Sequence, residues 1–362
     1  MSYERVDELM EEGWQMEHSP AQVAVYEEAV RIADTLNDTS LAVDCRMELV
    51  TAATFSGADE KAMVAFAWVL ARFDEDPDCV DVYDLMWKYK WIINSVTSFP
   101  TVSLSRIRSM EDDMERRYLA AGYNLRAVHD VRADIAMETG EEERCREYFA
   151  KWKSIPRDFM ADCLACEQSS EVRFMVHFGK YEDALETATP ILSGEMRCSS
   201  VPETTYGHVL IPLMHLDRLD DARRYHELGY PLVAGNPDYI PTVSRHLAFM
   251  VRDGQMDAAV RCVEQHLPLL ATIAMVDNRM EFYCTASALF RKLAASQTDI
   301  AVHLPETLEI AEASNQYKAV ELADWFQGKA DQMASQFDVR NGNRAVSEAN
   351  SAWQRLALGN SC

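Results

Sequence analysis

A six-residue pattern recurs along this chain and limits what it can fold into. Gly179-Lys-Tyr-Glu-Asp-Ala184, Asp217-Arg-Leu-Asp-Asp-Ala222 and Gly254-Gln-Met-Asp-Ala-Ala259 align without gaps, their starts 38 and 37 residues apart. Gly57-Ala-Asp-Glu-Lys-Ala62 and Gly140-Glu-Glu-Glu-Arg-Cys145 share the spacing; Gly140 lies 39 residues before Gly179 and 83 after Gly57, the latter close to two periods. Each copy follows an apolar helical run and opens another, with a small residue five positions after the turn residue. That is the grammar of stacked helical hairpins.

A recurrence near this period marks an α-solenoid, whose repeats cannot bury their apolar faces alone and so stack on their neighbours. The expected fold is all-α, one continuous solenoid of about eight helix hairpins. Residues 1–160 form the N-terminal repeats, 161–272 the best-defined repeats, and 273–362 degenerate repeats with a terminal capping helix. Composition agrees: 13 glycines and 12 prolines in 362 residues are too few for a turn-rich β fold, and 48% apolar residues supply a core.

Taken in order, helices are expected over Tyr3 to Met16 and from Pro20 to Leu36, with Ser19 as cap and Gln22 returning a bond to it. Others follow over Leu41 to Phe55, up to Phe73, and over Val80 to Val96 and Ser105 to Ala120, the last two parted by Phe99-Pro100. Tyr83, Trp87, Trp91 and Ile92 read as a packing stripe. Ser200-Val201-Pro202-Glu203 reads as a capping box, and Pro212 should bend the helix it opens. Later helices are expected over Arg279 to Ala295, Pro305 to Ala313 and Tyr317 to Phe337. A last amphipathic segment carries Val346, Ala349, Trp353 and Leu356.

The formal charge is −24, from 59 acidic and 35 basic residues, which disfavours nucleic acid or an anionic membrane as partner and favours a basic protein or peptide. The first ten residues carry four charges and no apolar core, and the longest apolar runs reach only ten residues, so a soluble cytoplasmic protein is expected. Phosphate-binding glycine loops, nucleophile elbows and paired histidine ligands are absent, so the chain reads as non-catalytic. His208, His215, His226, His246 and His266 read as core or surface histidines.

The sharpest local chemistry is a trio of thiols. Cys163 and Cys166 share a helix face, and Cys198, just after the second helix of that hairpin, should meet them at the same edge of the layer. Three readings stay open: packing thiols without a cofactor, a structural zinc site, or a reversible disulfide. Zinc would need a fourth ligand, and the nearest in sequence are Glu203 and His208. If the first helix of each hairpin lines a groove, helical stepping selects Asp130, Asp134, Arg173, His177, Thr204, Ser244 and Arg252 as its ligand-binding residues.

On its glycine, acidic and alanine spacing, best seen in Gly179 to Ala184, the chain resembles tetratricopeptide-repeat and related helical-repeat proteins. The resemblance implies a right-handed superhelix whose concave groove binds peptides or protein segments. The repeats here exceed the family's usual length of about 34 residues, and Pro231 and Pro268 fall early, so those second helices should kink or stop short. A looser resemblance is to bacterial helical-repeat proteins with no established activity. It rests on Asp162-Cys163-Leu164-Ala165-Cys166, Pro190-Ile191-Leu192-Ser193-Gly194, Cys198, Pro202, Thr205-Tyr206 and Leu210-Ile211-Pro212-Leu213. The expected function is an intracellular scaffold or adaptor for a protein or peptide, with a peptide-, redox- or metal-responsive sensor as the alternative.

Overall fold

Among residues 2–359, which the computed structural model describes, seventeen α-helices and one pair of three-residue strands carry the regular structure. The class is all-α. The chain divides into two compact units, Met1–Ala161 and Asp162–Cys362. No helix among the described residues is long and apolar enough to cross a membrane.

The five patterned turns show why the helices end where they do. Gly57, Gly140, Gly179, Asp217 and Gly254 all take the left-handed conformation, with φ of 69°, 74°, 69°, 56° and 83°. The amide after each reaches back five residues: Ala58 to Ala53, Glu141 to Ala136, Lys180 to Met175, Arg218 to Leu213 and Gln255 to Met250, at 2.8–2.9 Å. This bond satisfies a carbonyl that a helix end leaves orphaned, and it requires positive φ, which glycine adopts without a Cβ penalty. The helices that follow have no side-chain cap; acidic residues such as Asp59, Glu142, Glu182, Asp220 and Asp257 face the positive end of the dipole instead. The small residue of each pattern (Ala62, Cys145, Ala184, Ala222, Ala259) is fully buried, because the second helix's first turn presses on its neighbours there.

Unit 1 contains α1 (Tyr3–Trp14), α2 (Pro20–Leu36), α3 (Thr39–Thr54), α4 (Asp59–Glu75), α5 (Val82–Ser95), α6 (Leu104–Ala120), α7 (Arg126–Glu138) and α8 (Glu142–Ser154). Consecutive helices pack on one another, and α3 also meets α5, as α5 meets α7. Ser19 caps α2 as expected, but Gln22 turns away from the cap and donates to the Gly13 carbonyl at 2.9 Å. In the aromatic stripe, Ile92 is buried, Trp91 is half-buried against the Phe55 ring, and Tyr83 is exposed. A buried ion network joins α6 to α7 and α8. Glu111, 1% exposed, accepts from Arg108 at 2.6 Å and from Arg144 at 3.0 Å on both oxygens, while Arg132 pairs with Asp112 and Glu115.

Unit 2 contains α9 (Leu164–His177), α10 (Tyr181–Leu192), α11 (Glu203–His215), α12 (Leu219–Val233), α13 (Ile240–Asp253), α14 (Met256–His266), α15 (Val276–Ala294), β1 (Asp299–Ala301), β2 (Gln316–Lys318), α16 (Ala319–Asn341) and α17 (Ala345–Leu358). The odd helices stack in order, α9 on α11, α11 on α13, α13 on α15, and each also packs against the even helix that follows it. Residues 282–290 of α15 are buried without interruption, as a helix covered on all sides requires. α12 ends two residues past Pro231 and α14 two residues before Pro268.

Two expectations fail in this unit. The Pro305 to Ala313 helix does not form. Residues 299–304 alternate exposed and buried, a period of two, and β1 pairs antiparallel with β2 through Asp299↔Lys318, Ile300↔Tyr317 and Ala301↔Gln316. The capping box at Ser200 is also absent: α11 starts at Glu203 without a side-chain cap, and the Val201–Pro202 peptide is cis.

Candidate functional site

The stacked odd helices of unit 2 present a polar strip. On α13 the half-buried positions include Arg245 and Arg252. Ser244, one position away, is fully buried and donates its hydroxyl to the Ile240 carbonyl at 2.9 Å, so it lines no groove. A one-position error in phase, about 100° around the helix, separates the expected residue from the observed one. Arg245 lies across α11 at Gly207, where a Cβ would come within 2.8 Å of Thr242 Cγ2 and 3.5 Å of Arg245 Cδ. A larger residue there would force α13 away.

Arg245 faces Glu281 of α15 at 3.7 Å. Burial raises the Glu281 carboxyl above its usual range, and Arg245 opposes that shift. His208 of α11 is buried near Arg245 and Arg173, and desolvation, then these two cations, hold its imidazole well below the ordinary value. His208 is therefore neutral, and its Nδ1 has no hydrogen-bond partner among the described residues. Sequence reasoning named Arg173 in this group and missed Arg245 and Glu281; their signal, a charge on an otherwise apolar helix, was present but its facing was not.

The remaining groove candidates are spread over α7, α9, α11 and α13. Asp130 and Asp134 lie one turn apart on α7, in unit 1, both half-buried. His177 is exposed at the end of α9. Thr204 donates to the Ser200 carbonyl at 2.9 Å, a bond local to the start of α11. Arg252 pairs with Asp217 at 3.1 Å and abuts the end of α17, where a Cβ on Gly359 would collide with it.

Four further histidines of unit 2 make internal contacts. His226 and His246 meet through their Nδ1 atoms at 3.1 Å inside the core. Burial pushes His226 down to about 4 and His246 well below its ordinary value. His266 accepts from the Gly235 amide at Nε2 (2.8 Å), which leaves Nδ1 as the donor to the Cys262 carbonyl (2.8 Å). His215 stacks on Tyr181 at 4.3 Å.

In unit 1, α4, α5 and α6 border an apolar cleft of about 460 Å³ lined by residues including Phe66, Leu70, Ile92 and Met110, with Asp113 at its rim. Burial would raise Asp113, but hydrogen bonds from Arg117 and Tyr89 prevail and hold it low. An already paired carboxylate is a poor general acid or base.

The thiols do come together. Cys163 caps α9, its Sγ accepting the Cys166 amide at 3.4 Å. Cys198 sits in a tight turn closed by reciprocal backbone bonds with Val201, at 2.9 and 3.4 Å. Val201 is buried with Ala165 and Ile191, which draws that turn onto the hairpin edge. The three sulfurs lie within 4.8 Å of one another, and all three cysteines are free.

No protein-family model matches the chain, and no curated protein matches it.

Proposed function

We propose that this chain is a right-handed, tetratricopeptide-like α-solenoid that acts without catalysis as a cytoplasmic scaffold, binding a basic protein or peptide segment on the odd-helix face of unit 2. One observation carries the reading: that face already accepts a helix. α17 packs on α13 and α15 as well as α16. It is fastened by an apolar seam, with Leu356 and Ala357 in the core and Val346, Trp353 and Leu358 packed against it, and by polar contacts, Trp353 donating to Thr285 at 2.8 Å and Gln354 to Ser287 at 3.2 Å.

The same strip continues beyond α17. Glu281 lies one turn before Thr285 on α15, and Arg245 two turns before Arg252 on α13, so helical geometry places these residues on the same faces. The segment around Arg245 and Glu281 offers an incoming chain donors and an acceptor, with the buried His208 ring beneath them. The net charge of −24 supports the choice of a basic partner, which long-range attraction would steer toward it.

The test is recovery of partners from native extract at low and high salt, with the wild-type chain and with Glu281→Lys. Recovery of a basic protein by the wild type, weakened by salt and by the substitution, supports the reading. Recovery of no protein under either condition, or the same set with Glu281→Lys, overturns it.

A further inference from the structure

We propose that Cys163, Cys166 and Cys198 form a binding site for one thiophilic d¹⁰ divalent cation, zinc in the first place, held by three thiolates with its fourth position open to a ligand from solution. This inference does not depend on the scaffold reading.

Packing accounts for Cys166, which lies against Ala165, Ile191 and Val201, but not for the two exposed thiols. Cys45, Cys145, Cys262 and Cys284 are buried and fill core space, whereas Cys163 and Cys198 are exposed and Cys166 is half-buried. Exposed thiols add little to a core, yet these three, drawn from both ends of one hairpin, point their sulfurs at a common volume. With zinc–sulfur bonds of about 2.3 Å, tetrahedral geometry sets sulfurs about 3.8 Å apart. Their present spread, up to 4.8 Å, closes to that value with small side-chain rotations.

Burial raises the Cys166 thiol, while a hydrogen bond with Cys163 lowers Cys198, so the three sulfurs do not ionise alike. Cys163 and Cys166 lie at the amino end of α9, where the helix dipole favours negative charge, and the Cys166 amide already donates to the Cys163 sulfur. The Cys198–Val201 backbone pair holds the third sulfur in place without using its side chain. Loading transfers the thiol protons to solvent and moves no electrons.

No fourth His, Cys, Asp or Glu joins the cluster among the described residues, so neither Glu203 nor His208 completes a tetrahedron. Structural zinc sites are closed by four protein ligands, and sites with three keep a position for water or an exogenous ligand. Bound metal would tie the turn after α10 to the start of α9, at the entry to α11.

The full chain, expressed with zinc and purified without chelators, should carry close to one zinc per molecule. That content should fall to background in Cys163→Ser, Cys166→Ser and Cys198→Ser, and persist in Cys79→Ser, which removes a thiol outside the cluster. Cobalt loaded into the reduced wild type should give a sulfur-to-metal charge-transfer band and intense tetrahedral visible bands. Added imidazole should shift the visible bands, because the fourth position exchanges. The proposal is overturned if the reduced wild type, its thiols confirmed by titration, takes up neither zinc nor cobalt. It is equally overturned if the serine variants retain the metal, or if imidazole leaves the cobalt spectrum unchanged. A Cys163–Cys166 disulfide found on purification, with no metal uptake after reduction, would point to a redox pair instead. The cobalt measurements on the wild type decide the matter even if a serine variant fails to fold.

Discussion

Replacing His226 by Gln should remove an acid sensitivity built into the core of unit 2. His226 is 7% exposed and bonded to His246, and burial lowers it from 6.5 to about 4. The folded value lies below the unfolded one, so the fold favours the neutral ring. Its contribution is intact above about pH 6.5 and is lost as pH falls toward about 4. With those two values, linkage gives a loss of about 2.5 kcal/mol at pH 4.5 and almost none at pH 7.5. Gln has similar volume, can still bond His246, and does not titrate. Carboxylates lose stability over the same range in both proteins, so the informative quantity is the difference between them. Urea unfolding at a series of pH values, read by amide exchange across α12 and α13, follows unit 2 separately. Relative to the variant, the wild type should lose about 2.5 kcal/mol between pH 7.5 and 4.5. A difference that stays within about 0.5 kcal/mol over that interval would refute the assignment of His226 as a neutral ring with a depressed pKa.

Gly179→Ala should destabilise by about 1–2 kcal/mol through backbone strain alone, because φ is +69° and nothing lies within 4 Å of the added Cβ. Gly328→Ala, mid-helix in α16 with equally open surroundings, should stabilise by about 0.5–1 kcal/mol, and urea midpoints separate the two signs. Glu111→Ala removes the buried carboxylate shared by Arg108 and Arg144 and leaves both to Glu141, so thermal unfolding should report a loss of about 1.5–3 kcal/mol in unit 1. Trp353→Phe deletes the bond to Thr285 and should cost about 1 kcal/mol, seen as faster amide exchange in α17 with α12 unchanged.

The helix starts and stops were legible because they are local. A left-handed residue, acidic residues in the next turn and a small residue five positions on specify a reversal through bonds reaching no further than five residues. The thiol cluster was legible for a related reason: i, i+3 spacing and the geometry of one hairpin sufficed to bring three sulfurs together. The β1–β2 pair was not read, although Asp299 to Leu304 alternates cleanly, because strand pairing is fixed by partners 15 to 19 residues away.

Sequence by itself therefore determined the all-α class, most helix boundaries and the thiols that would converge. Which side of each helix faces inward was decided only by the tertiary structure. Ser244 and Arg245 differ by one position, yet the first is fully buried and the second lies half-buried beside Gly207 on the polar strip. The pairing of Arg245 with Glu281, and the absence of a fourth ligand at the cysteines among the described residues, are of the same kind. They depend on how separate helices rotate and approach, a balance of many weak contacts that no short stretch of sequence encodes.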